Sequence, residues 1–145
     1  MTKILIADDN AANRELIEAY LAAVDCETEL AVDGEDTINK VASFAPDLLL
    51  LDVMMPKLSG FEVCQQLKQS PETSNIMILM ITALNELGDI ERAVKAGTDD
   101  FLSKPINKVE FLKRVENMLR LKDVTDENER LRLYISEIDE QARPS

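Results

Sequence analysis

Four consecutive leucines, Leu48 to Leu51, run straight into an aspartate, Asp52. The surrounding run, residues 47–53, has no polar alternation and is too short for a buried helix or a membrane span. It reads as a strand covered on both faces, and residues 76–81 form a second unbroken run of the same kind. Strands of this type belong to parallel sheets layered between helices, so the rest of the chain must supply crossover helices. It does. Residues 3–7 predict a first strand, followed by Leu16, Ile17, Tyr20, Leu21 and Val24 at helical spacing. Residues 28–32 predict a weaker strand, which Asp33-Gly34 punctuates before a helix carrying Ile38, Val41 and Phe44. A helix over 61–69 closes at Ser70-Pro71, and one over 86–96 stops at Gly97. Residues 100–103 predict the last strand, and a final helix starts near Asn107. The βαβ rhythm implies an open parallel sheet with right-handed crossovers.

At 145 residues the chain has room for one domain and a short appendage. Its net charge of -12 argues against a nucleic-acid surface, which needs a basic stripe. There is no histidine, which excludes His-based catalysis, His metal sites and a histidine phosphotransfer role. Nothing reads as a signal peptide or a membrane span, because Asp8 and Asp9 interrupt the N-terminal apolar stretch, and a cytoplasmic location is expected. Cys26 and Cys64 lack metal or redox spacing and are expected to be reduced thiols.

In such a sheet, ligands bind beyond the C-terminal ends of the strands. The first strand ends in Asp8-Asp9, the third in Asp52, the fourth in Thr82 and the fifth in Lys104-Pro105. Singly, each has an ordinary explanation: Asp8-Asp9-Asn10 as a helix cap, Asp52 as a turn residue, Thr82 as a strand former, Lys104 as a surface charge. Their convergence on one edge is the stronger signal. Three carboxylates brought together raise one another's pKa unless a cation joins them, and magnesium suits carboxylates, waters and phosphate oxygens.

The order Asp8-Asp9, Asp52 with Met55-Pro56 and Gly60, Thr82-Ala83, and Lys104-Pro105 resembles the response-regulator receiver family of two-component signalling, including the chemotaxis-regulator type. The resemblance spans residues 3–121 and implies a flavodoxin-like α/β fold with a five-stranded parallel sheet of order 2-1-3-4-5. It implies that Asp52 accepts a phosphoryl group from a sensor histidine kinase or histidine phosphotransfer protein. Asp9, Asp52 and the Met54 backbone carbonyl would hold Mg2+ (Mn2+ as a substitute), with Asp8 acting mainly through water. Lys104 and Thr82 would contact the phosphoryl oxygens, and Pro105 matches a cis proline that orients Lys104. Phe101 matches the switch aromatic, relaying the signal to the face of the fourth helix, fifth strand and fifth helix. Phe rather than Tyr at this position removes a hydroxyl that a partner could bind.

Other functions fit less well. An aspartate-nucleophile phosphatase wants a second Asp two residues after the nucleophile, where this chain has Met54. A flavoprotein of the same fold needs a hydroxyl-rich phosphate loop after the first strand, where Asp8-Asp9 would repel a flavin phosphate. A receiver-like dimerisation scaffold that is never phosphorylated has no need of the full acidic set. The chain therefore reads as a phospho-acceptor switch and not an enzyme.

Residues 1–121 are assigned to the receiver and 122–145 to a helical extension. In the extension Leu121, Val124, Asn128, Leu131, Ile135, Ile138 and Ala142 alternate at spacings of three and four, a heptad seam with Asn128 at an a position. This predicts a coiled-coil homodimer or a linker to an output module, with a helix folded back on the domain as the alternative. Arg143-Pro144-Ser145 follows, and the sequence leaves open whether an effector lies beyond.

Overall fold

The computed structural model describes residues 1–84 and 86–142, with side chains through Asn128 and at Leu131 and Arg132. Among the described residues five strands alternate with five helices. They are β1 (Thr2–Ala7), α1 (Ala11–Leu21), β2 (Cys26–Ala31), α2 (Gly34–Phe44), β3 (Leu48–Leu51), α3 (Gly60–Gln69), β4 (Met77–Thr82), α4 (Leu87–Ala96), β5 (Asp100–Ser103) and α5 (Lys108–Ala142). All strand pairs are parallel and the order is β2-β1-β3-β4-β5, the flavodoxin-like order expected from the sequence.

The leucine run shows why the sheet is buried on both faces. Leu49 and Leu51 point to one side, packing with Leu5, Ile78 and Met80 against Val41, Cys64, Leu67 and Ala93 of α2, α3 and α4. Leu48 and Leu50 point to the other, packing with Ile4, Ile6 and Leu79 against Ile17, Leu21, Phe111 and Val115 of α1 and α5. Period-two alternation thus divides one apolar run between two cores. The central strands β1, β3 and β4 are almost wholly buried, whereas edge strand β2 exposes Glu27, Thr28 and Glu29. That exposure explains its weaker sequence signal.

Local chemistry sets the helix ends. Asn10 caps α1 and Asp33 caps α2, while Ser59 and Glu62 form a reciprocal capping box on α3. Ser70 is extended before Pro71, and Gly97 ends α4 in the left-handed region at φ 95°. The run 47–53 is regular strand only over its four leucines. Asp47 and Asp52 still donate their amides to Lys3 and Ala7 carbonyls at 2.8 and 2.9 Å, so the ladder direction persists past each end. Cys26 and Cys64 are both free thiols; burial pushes the Cys64 thiol up to about 12.

The last helix runs without interruption from Lys108 to Ala142, so over these residues the tail does not fold back onto the sheet. The side chains of Ile135, Ile138 and Ala142, and all of Arg143-Pro144-Ser145, lie outside the described residues. No helix among the described residues is long and apolar enough to cross a membrane.

Candidate functional site

Register carries Ala7 of β1 beside Leu51 of β3, and Leu51 beside Met80 of β4. The residues that follow these strands therefore emerge on one edge. Asp8, Asp9 and Asp52 each place a carboxylate oxygen within 4.8 Å of the others. Asp8 and Asp52 are buried and Asp9 is exposed.

The three residues Asp8-Asp9-Asn10 divide their work. Asn10 caps α1 through Oδ1, which accepts the Asn13 amide at 3.0 Å. Asp8 accepts the Asn10 amide through Oδ1 at 2.9 Å, and the Asp8 carbonyl accepts from the Arg14 guanidinium at 2.6 Å. The capping role expected of an isolated Asp-Asp-Asn is real, but it falls on Asn10 and leaves Asp9 facing outward.

Lys104 arrives from β5. Its amide donates to the Thr82 carbonyl at 2.9 Å, and the Lys104-Pro105 peptide is cis. Its ammonium donates to Asp8 Oδ2 at 2.9 Å and to Asp52 Oδ2 at 3.1 Å. Burial opposes the ammonium, but the hydrogen bonds and charges of Asp8 and Asp52 outweigh it and raise its pKa. The Asp52 carboxyl also lies above its ordinary range. Burial is the main cause there, with Lys104 pulling the other way and Asp8 adding to the rise. Mutual repulsion of the carboxylates was the cause expected from the sequence. It ranks behind burial because Lys104 already stands between Asp8 and Asp52.

Asp52 Oδ1 accepts the Met54 amide at 3.3 Å, and the Met54 side chain stays exposed. Thr82 is fully buried, and its hydroxyl oxygen accepts the Leu84 amide at 3.4 Å. Phe101 is half-buried and packs against the core shared with α2, α3 and α4, beside Met80 in the sheet. Asp8, Asp9, Asp52, Thr82 and Lys104 are thus brought to this edge, while Phe101 lies one step back within β5.

Sequence reasoning missed the support beneath the loop after Asp52. Gly34 opens α2 so close to that loop that a β-carbon would overlap the Leu58 carbonyl, and its amide donates to the Pro56 carbonyl at 3.2 Å. A β-carbon on Gly60 would overlap the Asp52 carbonyl. Lys57 takes φ 72°, a conformation uncommon without glycine, and its ammonium lies 3.5 Å from Asp33 Oδ2. Asp33-Gly34 was legible as a turn, but not as a buttress.

A doubly wound sheet with three carboxylates and a lysine at its switch edge defines a receiver-type module. The model of the response regulator receiver domain matches residues 4–116, and the chain belongs to that family. Receiver domains of response regulators are signalling switches of two-component systems, and their partners are sensor histidine kinases. The chain is 44% identical over 125 residues to response regulator PleD of Caulobacter vibrioides, covering 86% of this chain and 28% of that protein. It is 39% identical over 123 residues to the DNA-binding dual master transcriptional regulator RpaA of Synechocystis, covering 85% of this chain and 51% of that one. It therefore spans about half or less of these two relatives. A crystal structure of a putative response regulator from Chloroflexus aurantiacus superposes with a TM-score of 0.78 at 32% identity, covering 82% of this chain and 98% of that one.

Proposed function

We propose that Asp52 accepts a phosphoryl group from a phosphohistidine on a sensor histidine kinase or phosphotransfer protein. The observation that carries this reading is the Asp8-Lys104-Asp52 bridge with Asp9 beside it. An Asp52 carboxylate oxygen attacks phosphorus, an oxygen–phosphorus bond forms, and the phosphorus–nitrogen bond to the partner's imidazole breaks. The imidazole leaves with the electron pair and takes a proton from solvent. Asp52 needs no general base, since the ionised form of a carboxyl group is itself the nucleophile.

The candidate ligands suit a hard divalent cation: the three acidic side chains that converge all offer carboxylate oxygens. Three carboxylates and one ammonium leave two net negative charges, the complement of Mg2+, with Mn2+ as a substitute. Asp9, Asp52 and the Met54 backbone carbonyl would hold the ion, and Asp8 would act through water. When bound, it offsets the charge of the phosphoryl oxygens. Lys104 and Thr82 then meet those oxygens with an ammonium and a hydroxyl, so positioning and electrostatics supply the catalysis. Phe101 lies on the core side, where a shift of Thr82 would let it repack and alter the face formed by α4, β5 and α5. Residues 1–121 form the receiver and the rest of α5 its output element.

Incubation with Mg2+ and a small phosphodonor, followed by intact-mass measurement, tests this. The wild type gains one phosphoryl group and Asp52→Asn gains none. Full phosphorylation of Asp52→Asn at another residue would overturn the assignment, and no phosphorylation of the folded wild type would favour a scaffold.

A further inference from the structure

The body-bound part of α5 and its tail use different sides of the helix. Phe111, Val115 and Met118 face the sheet and are buried, with Leu112 and Leu119 beside them. At 100° per residue, Leu121, Val124, Asn128 and Leu131 lie about 120–180° round the helix from the centre of that stripe. Leu121, Val124 and Leu131 are 49%, 48% and 55% exposed. Since α5 is unbroken through Ala142, its own domain cannot turn to cover them.

The exposed stripe begins where contact with the body ends. Lys122 is still anchored: its side chain is 14% exposed, it borders a cavity with Asp47 and Met1, and it pairs with Asp126 at 3.1 Å. Continuing the heptad backwards puts Asn117 at d and Arg114 at a. Arg114 is already committed to Asp100 at 2.7 Å. The seam is therefore a property of the tail alone. A lone helix of this length, carrying Thr125, Asp126 and Asn128, is marginal in water, so its apolar stripe calls for a cover.

We propose that the cover is the same stripe of a second copy, in a parallel, in-register two-stranded coiled coil beginning at Leu121. Two observations select a copy of this chain in that orientation. Asn128 occupies an a position, and in a parallel pair a faces a′, so each Asn128 amide meets its mate; an antiparallel pair sets it against an apolar residue. Glu127 at g faces Arg132 at e′, so the flanking charges also match their own copy. In sequence the seam continues through Ile135 and Ile138, and a β-branched a residue with Leu131 at d favours two strands. The coil starts at the N-terminal edge of the sheet, where Lys122 borders Met1 and Asp47, so both acidic corners lie at the far end of their sheets from it.

This inference rests on α5 and stands apart from the assignment of Asp52, so the two can fail separately. The test uses the full chain with Cys26→Ser; Cys64 is buried and its thiol too weakly acidic to compete. Asn128→Cys and, as a c-position control, Asp123→Cys are oxidised mildly and run without reductant. The expected result is a covalent dimer from Asn128→Cys at least tenfold faster than from Asp123→Cys. Light scattering of unmodified chain should show a dimer that Leu131→Glu abolishes, with the phosphorylation and melting temperature of the receiver unchanged. Equal cross-linking at both positions, or a chain that stays monomeric at high concentration with and without beryllofluoride, overturns the proposal.

Discussion

The ammonium of Lys104 lies 3.1 Å from Oδ2 of Asp52, in a corner where Lys104 is 17% and Asp52 7% exposed by side chain. This one contact offsets part of the desolvation of the acceptor, but not all of it, because the Asp52 pKa remains raised. The acceptor thus sits in a place that disfavours its charge, with Lys104 as the partial compensation.

A pH dependence follows from that imbalance. Below the ordinary carboxyl value of 3.8, Asp52 is protonated in both folded and unfolded chains and carries no penalty. As pH rises through 3.8 and then through the higher folded value, the unfolded chain ionises more readily, and stability is lost. With a chelator present, Asp52→Asn should melt above wild type at pH 7, and the gap should close towards pH 3.5. Saturating Mg2+ should reverse the order, since a ligand at a hundred times its Kd adds about 2.7 kcal/mol to the protein that binds it. Thermal melts across this range decide it; a wild type more stable than Asp52→Asn at pH 7 in chelator would show that Lys104 outweighs burial.

Met54 gives a kinetic expectation. Its amide is tied to Asp52 Oδ1, while its apolar side chain stands exposed beside the acceptor. An amide side chain there could orient a water towards phosphorus, whereas Met54 offers it no partner. The phosphorylated Met54→Asn protein should lose its phosphoryl group several-fold faster than wild type, each tenfold being about 1.4 kcal/mol of barrier. Intact-mass time courses measure this, and slower decay in the variant would rule the idea out.

The sheet order and the acidic edge were legible because both follow from short-range pattern. An unbroken leucine run fixes a doubly covered strand, and polar residues at its end are then placed by topology. The Asp8-Lys104 pair was not legible as a contact, since it joins residues 96 apart and depends on the register of β1, β3, β4 and β5. Gly34 was read as punctuation because nothing local reveals that Leu58 fills the place of its β-carbon.

That close approach makes the glycines unequal. Gly34→Ala must push the Leu58 backbone away and should destabilise the fold by about 1–3 kcal/mol, the range for overpacking. Gly88 lies in the first turn of α4 with nothing within 4 Å of its missing β-carbon. Gly88→Ala should therefore stabilise by up to about 1 kcal/mol, by restricting the unfolded chain. Urea unfolding of the two variants compares them directly, and equal midpoints would mean the contact with Leu58 yields easily.

The two neighbouring acids should differ in their hold on the metal. Both Asp8 oxygens are already engaged, Oδ1 with the Asn10 amide and Oδ2 with the Lys104 ammonium, and the residue is 2% exposed. Asp9 faces outward with its carboxylate within 4.8 Å of those of Asp8 and Asp52, so it is better placed for direct coordination. Asp9→Ala should weaken Mg2+ binding by well over tenfold, whereas Asp8→Ala should weaken it by about tenfold, as for a residue that acts through another ligand. The stability costs should run the other way. Asp8→Ala leaves the buried Lys104 ammonium with Asp52 alone and should cost roughly 1–3 kcal/mol, while Asp9→Ala removes an exposed charge that repels its neighbours and should cost almost nothing. Calorimetric Mg2+ titration and urea unfolding of the same two proteins separate the roles, and equal losses of affinity would mean that both acids bind the ion directly.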